Sequence, residues 1–186
     1  MLARVINFAA FYLGWFACVV GAARGWPAFG PVVVAVLVLL HLVQQTDRGR
    51  ELTLILVVGA IGSVIDTSQA ALGVFAFVGA PGAWLCPPWL TSLWLIFAST
   101  LNGSMSWLAG RYLLATALGA ISGPFSYYCA VRIGVIEFPH PTLSVAALAL
   151  VWAATVPGLI WLRDALTTPA PIASAVRQPR APRSPR

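Results

Sequence analysis

Residues 52–73 read LTLILVVGAIGSVIDTSQAALG, an apolar run broken by a single charged side chain, Asp66. A helix of about 20 residues crosses the roughly 30 Å hydrocarbon core of a bilayer, and this run has that length. Its hydrophobicity is continuous where a barrel strand would alternate, so it reads as a membrane helix. Comparable runs lie at Val5–Ala23, Pro27–Gln45, Trp89–Leu108, Tyr112–Arg132 and Leu143–Leu162. With 60% hydrophobic residues, 9% charged residues and a mean hydropathy of +0.88, the chain lies outside the range of soluble domains. The expected fold is an all-α membrane protein, a six-helix transmembrane bundle.

Arginine placement sets the expected orientation. With six spans, Arg4, Arg48, Arg50, Arg111, Arg163, Arg177, Arg180, Arg183 and Arg186 fall on one side and only Arg24 and Arg132 on the other. Both termini are therefore expected in the cytoplasm, with the chain multi-pass and the first run retained as a helix. Residues 1–166 read as the membrane domain and residues 167–186 as a disordered or extended Pro/Arg-rich tail. In that tail Arg177, Arg180, Arg183 and Arg186 recur every third residue, the repeat of polyproline II. They are candidates for contact with an anionic membrane surface, beside the simpler reading of a solvated positive tail.

Between the third and fourth runs, Val74–Pro88 holds breakers at Gly79-Ala80-Pro81-Gly82 and Pro87-Pro88. It also holds Phe75, Phe77, Trp84 and Leu85, too apolar for a solvated loop. A re-entrant or interfacial outer segment is expected, either an aromatic anchor or a lid.

Small and polar residues cluster on single helical faces, as helix association in lipid requires. The third run aligns Gly59, Gly62, Ser63, Asp66 and Gly73; the fourth aligns Ser99, Asn102, Gly103 and Ser106; the fifth aligns Gly119, Ser122, Gly123, Ser126 and Ala130. These three are expected at the bundle centre, with Pro124 bending the fifth. Counted at about 1.5 Å per residue, Asn7, His41, Gln44 and Asn102 lie toward the cytoplasm, and Asp66, Ser126, Tyr127 and Tyr128 toward the outside. Asn7 and His41 form an expected inner polar group. A lone acid in a bilayer is costly and marks a pathway, a proton site or a buried polar contact. Arg132 projects away from the Gly119/Ser122/Ser126 face, so Asp66 is expected to be protonated or hydrogen-bonded, to Tyr127 or a serine, rather than ion-paired.

Catalytic motifs are sparse. Two histidines, His41 and His140, are too few for a membrane di-iron oxidase or two axial haem pairs, and no Cys/His cluster points to zinc. Neither a metal nor a cofactor is expected. Ser122-Gly123 lacks a histidine at matching depth to act as base. Cys86 and Cys129 are placed so that they could bridge, though free thiols are the usual case.

Asn7-Phe8, Trp15-Phe16, Asp66 with Gly73, Pro88-Trp89, the segment Trp94-x2-Phe97-Ala98-x-Thr100-Leu101-Asn102-x-Ser104, and Gly119-Ala120-Ile121 with Gly123-Pro124 and Ser126-Tyr127-Tyr128 together resemble the bacterial integral membrane family catalogued as domain of unknown function 2878. The resemblance runs from Asn7 to about Leu162 and leaves out the tail. It implies a small multi-helix inner-membrane protein without an assigned activity, loosely associated with bacterial lipid metabolism, and it groups Asp66, Asn102 and Tyr127 in one pattern.

Three function classes follow. A small carrier or flippase for a lipid-related or small polar solute would use Asp66 as its titratable site. An intramembrane lipid-modifying enzyme would use Asp66 as acid or base with Asn102 and Tyr127 positioning a headgroup; Asp66, Asn102, Ser126 and Tyr127 together are the candidate polar site. A non-catalytic accessory subunit of a membrane complex would use its polar faces to bind a partner. Membrane lipids are the expected partners, with a second copy or another membrane protein; nucleic acid is not, because no folded reading surface accompanies the charge.

Overall fold

The computed structural model describes residues 1–80 and 82–167. Six α-helices account for most of them: α1 Leu2–Ala23, α2 Phe29–Val43, α3 Arg48–Ala71, α4 Pro88–Asn102, α5 Tyr112–Ile133 and α6 Pro141–Thr167. The arginines at positions 177, 180, 183 and 186 lie outside the described residues, as does the expected tail. Among the described residues three helices are long and apolar enough to cross a membrane: α1, α3 and residues Pro141–Leu166 of α6. At 15 residues each, α2 and α4 are shorter, about 22 Å at 1.5 Å per residue.

Each end has a local cause. The Asp47 side chain accepts from the Arg50 N–H at 3.1 Å and caps α3. Pro88 opens α4 at a position where a missing N–H costs nothing. Gly134, at φ +90°, closes α5 in the left-handed conformation.

α4 packs against α1, α2 and α3, while α5 and α6 form a second unit paired along their length. The aligned glycines are the contact surfaces. A Cβ on Gly59 would lie 2.4 Å from Leu95, and one on Gly62 would lie 1.9 Å from the Trp94 ring. On Gly123 it would lie 2.2 Å from the Trp152 ring, and on Gly119 2.3 Å from the Trp152 carbonyl oxygen. The glycine face of α5 therefore meets α6, rather than α3 and α4 as the expected centre of the bundle implied.

The fourth apolar run does not continue as one helix to Leu108. It stops at Asn102, and a 3-10 turn at Ser106–Leu108 follows. The break is stabilised from α1. Asn7 Nδ2 donates to the Ser99 carbonyl at 3.2 Å, and Asn7 Oδ1 accepts from the Ser104 N–H at 2.9 Å. Gly103 allows this, because a Cβ there would sit 2.3 Å from Asn7 Oδ1. Asn7→Ala removes both bonds and should cost about 1–3 kcal/mol, seen as a lower melting temperature in detergent; an unchanged melting temperature would show that Asn7 does not hold the turn.

The segment between α3 and α4 closes one end of the bundle. A two-residue strand, β1 Ala76–Phe77, pairs antiparallel with β2 Ile136–Glu137 in the register Ala76 to Glu137 and Phe77 to Ile136. Phe75 and Phe77 are buried beneath it, whereas Trp84 and Leu85 are exposed. Cys18, Cys86 and Cys129 are free thiols. Burial pushes the Cys86 thiol, in this end segment, up to about 11.

Candidate functional site

One face of α3 holds Glu51, Ile55, Val58, Gly62, Asp66 and Gln69 at helical spacing, all buried. It positions two polar nodes, centred on Glu51 and Asp66, separated by 15 residues or about 22 Å of helix.

Asp66 is fully buried. Its Oδ2 accepts from Trp94 Nε1 of α4 at 2.7 Å. Its Oδ1 accepts from the Tyr127 hydroxyl of α5 and from Gln69 Nε2 at 3.3 Å. Among the described residues Asp66 enters no ion pair. Three donors from three helices thus converge on one carboxyl and satisfy it without a cation. The layer is closed from the capped end, where the buried Phe75 ring lies 5.2 Å from that of Tyr127.

Rings on the opposite side separate Asp66 from the rest of the bundle. The Trp94 indole stacks on Trp152 of α6 with centroids 4.9 Å apart and planes at 9°. Trp152 Nε1 is buried near the Tyr127 oxygen without reaching hydrogen-bond geometry, and has no hydrogen-bond partner among the described residues.

Ser126, the neighbour of Tyr127, does not reach Asp66. Its Oγ accepts from Trp15 Nε1 of α1 at 3.0 Å and links α1 to α5. Asn102 also lies elsewhere: its Nδ2 donates to Glu51 Oε2 at 2.7 Å. Glu51 Oε1 is 2.7 Å from His41 Nε2. The structure therefore joins Asp66 with Tyr127 and joins His41 with Asn102, but it places Ser126 and Asn102 apart from the carboxyl. Asn7 forms a separate group with Ser99 and Ser104.

Glu51, Trp94 and Gln69 were not anticipated from the sequence. Extending the Gly62/Asp66 face by helical steps in both directions reaches Glu51 and Gln69, so a periodic signal existed for these two. Trp94 had no periodic signal and stood out only as the first residue of the segment that carries the family resemblance. Nearby, Arg163 is buried in α6 and donates through Nη1 to the Leu101 carbonyl at 2.9 Å. Among the described residues no group of three or more His, Cys, Asp or Glu side chains comes together.

A lateral space lies between α1 and α5. A groove of about 490 Å³ has walls of Phe8, Tyr12 and Phe16 on one side and Leu118, Ser122 and Phe125 on the other; Phe97, Thr100 and Trp152 form its floor. These wall residues are mid-helix and partly exposed, so the groove opens on the side of the bundle. A smaller cavity of about 60 Å³ shares Phe11, Trp15, Phe97, Ser126 and Trp152 with it and extends to Trp94 and Tyr127. Asp66 lines neither space. It stands one side chain behind them, reached through Trp94 and Tyr127.

No curated protein and no solved structure is similar enough to match this chain. The sequence model of one family matches residues 4–158, a span that holds every residue lining the groove or bonded to Asp66, and the chain belongs to that family, described as Protein of unknown function (DUF2878).

Proposed function

We propose that the chain is a six-span protein of the bacterial inner membrane, with both termini in the cytoplasm, that acts as a carrier for a membrane lipid. The observation behind this reading is the groove between α1 and α5. Its walls are almost wholly apolar, and its opening faces sideways at helix mid-depth, where the medium is lipid hydrocarbon. The arginine asymmetry supports the orientation. A polar-solute route finds less support, because the middle of the bundle is filled by Trp94, Trp152 and Tyr127.

In this reading Asp66 does not touch the lipid. It fixes the rotamers of Trp94 and Tyr127, which close the inner wall of the space beside the groove. A lipid-modifying enzyme remains a second reading on one observation: Tyr127 both borders the cavity and donates to Asp66, so a proton has a path between ligand and carboxyl.

Ser122 lies on the groove wall and is exposed, so a larger side chain there fills the groove without disturbing a packed contact. Ser122→Trp should lower the lipid that co-purifies in mild detergent by about fivefold while the melting temperature stays within a few degrees. Undiminished lipid in this folded variant would refute the groove as the binding site. For the second reading, lipid profiles of a deletion strain complemented with wild type or Tyr127→Phe should differ in chemical species; equal profiles leave only the carrier.

A further inference from the structure

Both walls of the groove begin, at the same end of the bundle, with an arginine. On α1 the residues Arg4, Phe8, Phe11 and Trp15 follow one another at helical spacing, and the last three line the groove. Arg4 therefore lies one turn beyond the last groove residue on the same face. On the other wall Arg111 immediately precedes α5, whose groove residues Leu118, Ser122 and Ser126 follow at matching spacing. Its guanidinium carbon is 5.9 Å from the centroid of the Trp107 ring, itself part of the groove lining.

Neither guanidinium enters an ion pair among the described residues. Both are exposed. The same end offers a third group, since Ser104 Oγ is buried at the groove lining with no hydrogen-bond partner among the described residues. Buried hydroxyls are nearly always satisfied, so an orphan one at the edge of a ligand-sized space marks where a polar group fits. From Arg4 to Trp15 is 11 residues and from Arg111 to Ser126 is 15, about 16–22 Å of helix, compared with about 15 Å for half of the hydrocarbon core.

We infer that the groove takes an anionic amphiphile, with a hydrocarbon chain lying along α1 and α5 and a phosphate or carboxylate headgroup held at the N-terminal end by Arg4, Arg111 and the Ser104 hydroxyl. The two guanidiniums supply the charge complement and the planar donors that such groups prefer. The hydroxyl supplies a donor that a choline-type headgroup, with its cation outermost, uses less well. This inference rests on the groove binding a lipid chain, and adds the class of lipid.

The test uses native mass spectrometry of the full chain in detergent, with dioleoylphosphatidylglycerol, oleate or dioleoylphosphatidylcholine added in turn. Wild type should retain at least one of the two anionic species about tenfold more than the zwitterionic one, a ratio of the size expected for paired charge-assisted contacts. Which anionic species is retained identifies its source, a phospholipid or a free acid. The double variant Arg4→Gln/Arg111→Gln should lose that preference and keep its retention of phosphatidylcholine. A preference that survives in the double variant places the charge recognition elsewhere and overturns the inference, as does the lack of any preference in wild type. In both of those cases the groove reading stands if Ser122→Trp still lowers retention. Failure of wild type to retain any of the three lipids overturns both.

Discussion

Gly62→Val is expected to yield little or no monodisperse protein. A Cβ at this position would lie 1.9 Å from Trp94 Cδ2 and 2.2 Å from Cγ, so the indole would have to move. It has nowhere to go. Its other face stacks on Trp152 at 4.9 Å, its Nε1 is held by Asp66 at 2.7 Å, and Trp152 in turn rests on Gly123, where a Cβ would sit 2.2 Å from Cγ. The order Gly62, Trp94, Trp152, Gly123 therefore runs as one stacked layer through α3, α4, α6 and α5. Overpacking of a tight core costs about 1–3 kcal/mol and sometimes more, and displacement of Trp94 would add the loss of its bond to a buried carboxyl. We expect a total of about 4 kcal/mol, read by fluorescence-detected size exclusion after heating. The second-site variant Gly62→Val/Trp94→Leu should recover part of the loss by removing the ring that clashes. If Gly62→Val alone folds with wild-type stability, the layer is not packed as described.

The second large effect is expected at Asp66. Asp66→Ala leaves the Trp94 indole N–H and the Tyr127 hydroxyl buried without an acceptor, and Gln69 loses its amide contact. At about 1–3 kcal/mol for each abandoned group, the loss should reach about 3–5 kcal/mol. Asp66→Asn keeps an acceptor oxygen for one donor but turns an N–H₂ toward another, so its loss should be intermediate. The order wild type, Asn, Ala in melting temperature is the diagnostic result. Equal stability of all three would mean that the carboxyl does not organise the layer. Asp66→Ala should also weaken lipid retention, because Trp94 and Tyr127 border the cavity beside the groove.

The sequence made some of this legible for physical reasons. A lone acid in an apolar run stands out, because no other side chain in residues 52–73 carries a charge, and a tyrosine on a neighbouring helix was among the few partners at its depth. The glycine faces were equally visible. Their partners were not, since a small residue announces that something comes close without saying what: Gly62 admits Trp94, while Gly119 and Gly123 admit Trp152 of the sixth helix. Depth placed Asn102 at the same level as His41, and the two side chains meet on Glu51, although the family pattern had grouped Asn102 with Asp66. Glu51 itself was hidden by its position at the helix start, where an acid ordinarily faces solvent and favours the helix dipole. The end of α4 at Asn102 was hidden for a different cause: it depends on Asn7, 95 positions away from Asn102 along the chain. The groove had no linear signature at all, being lined by residues of α1 and α5 together with others from α4, the turn after it and α6.

A structure of the protein in a lipid nanodisc tests the central claim most directly. The account predicts chain-like density between α1 and α5, in contact with Phe11, Phe97, Leu118 and Trp152. A collapsed groove, with α1 closed against α5 and no density between them, would contradict it.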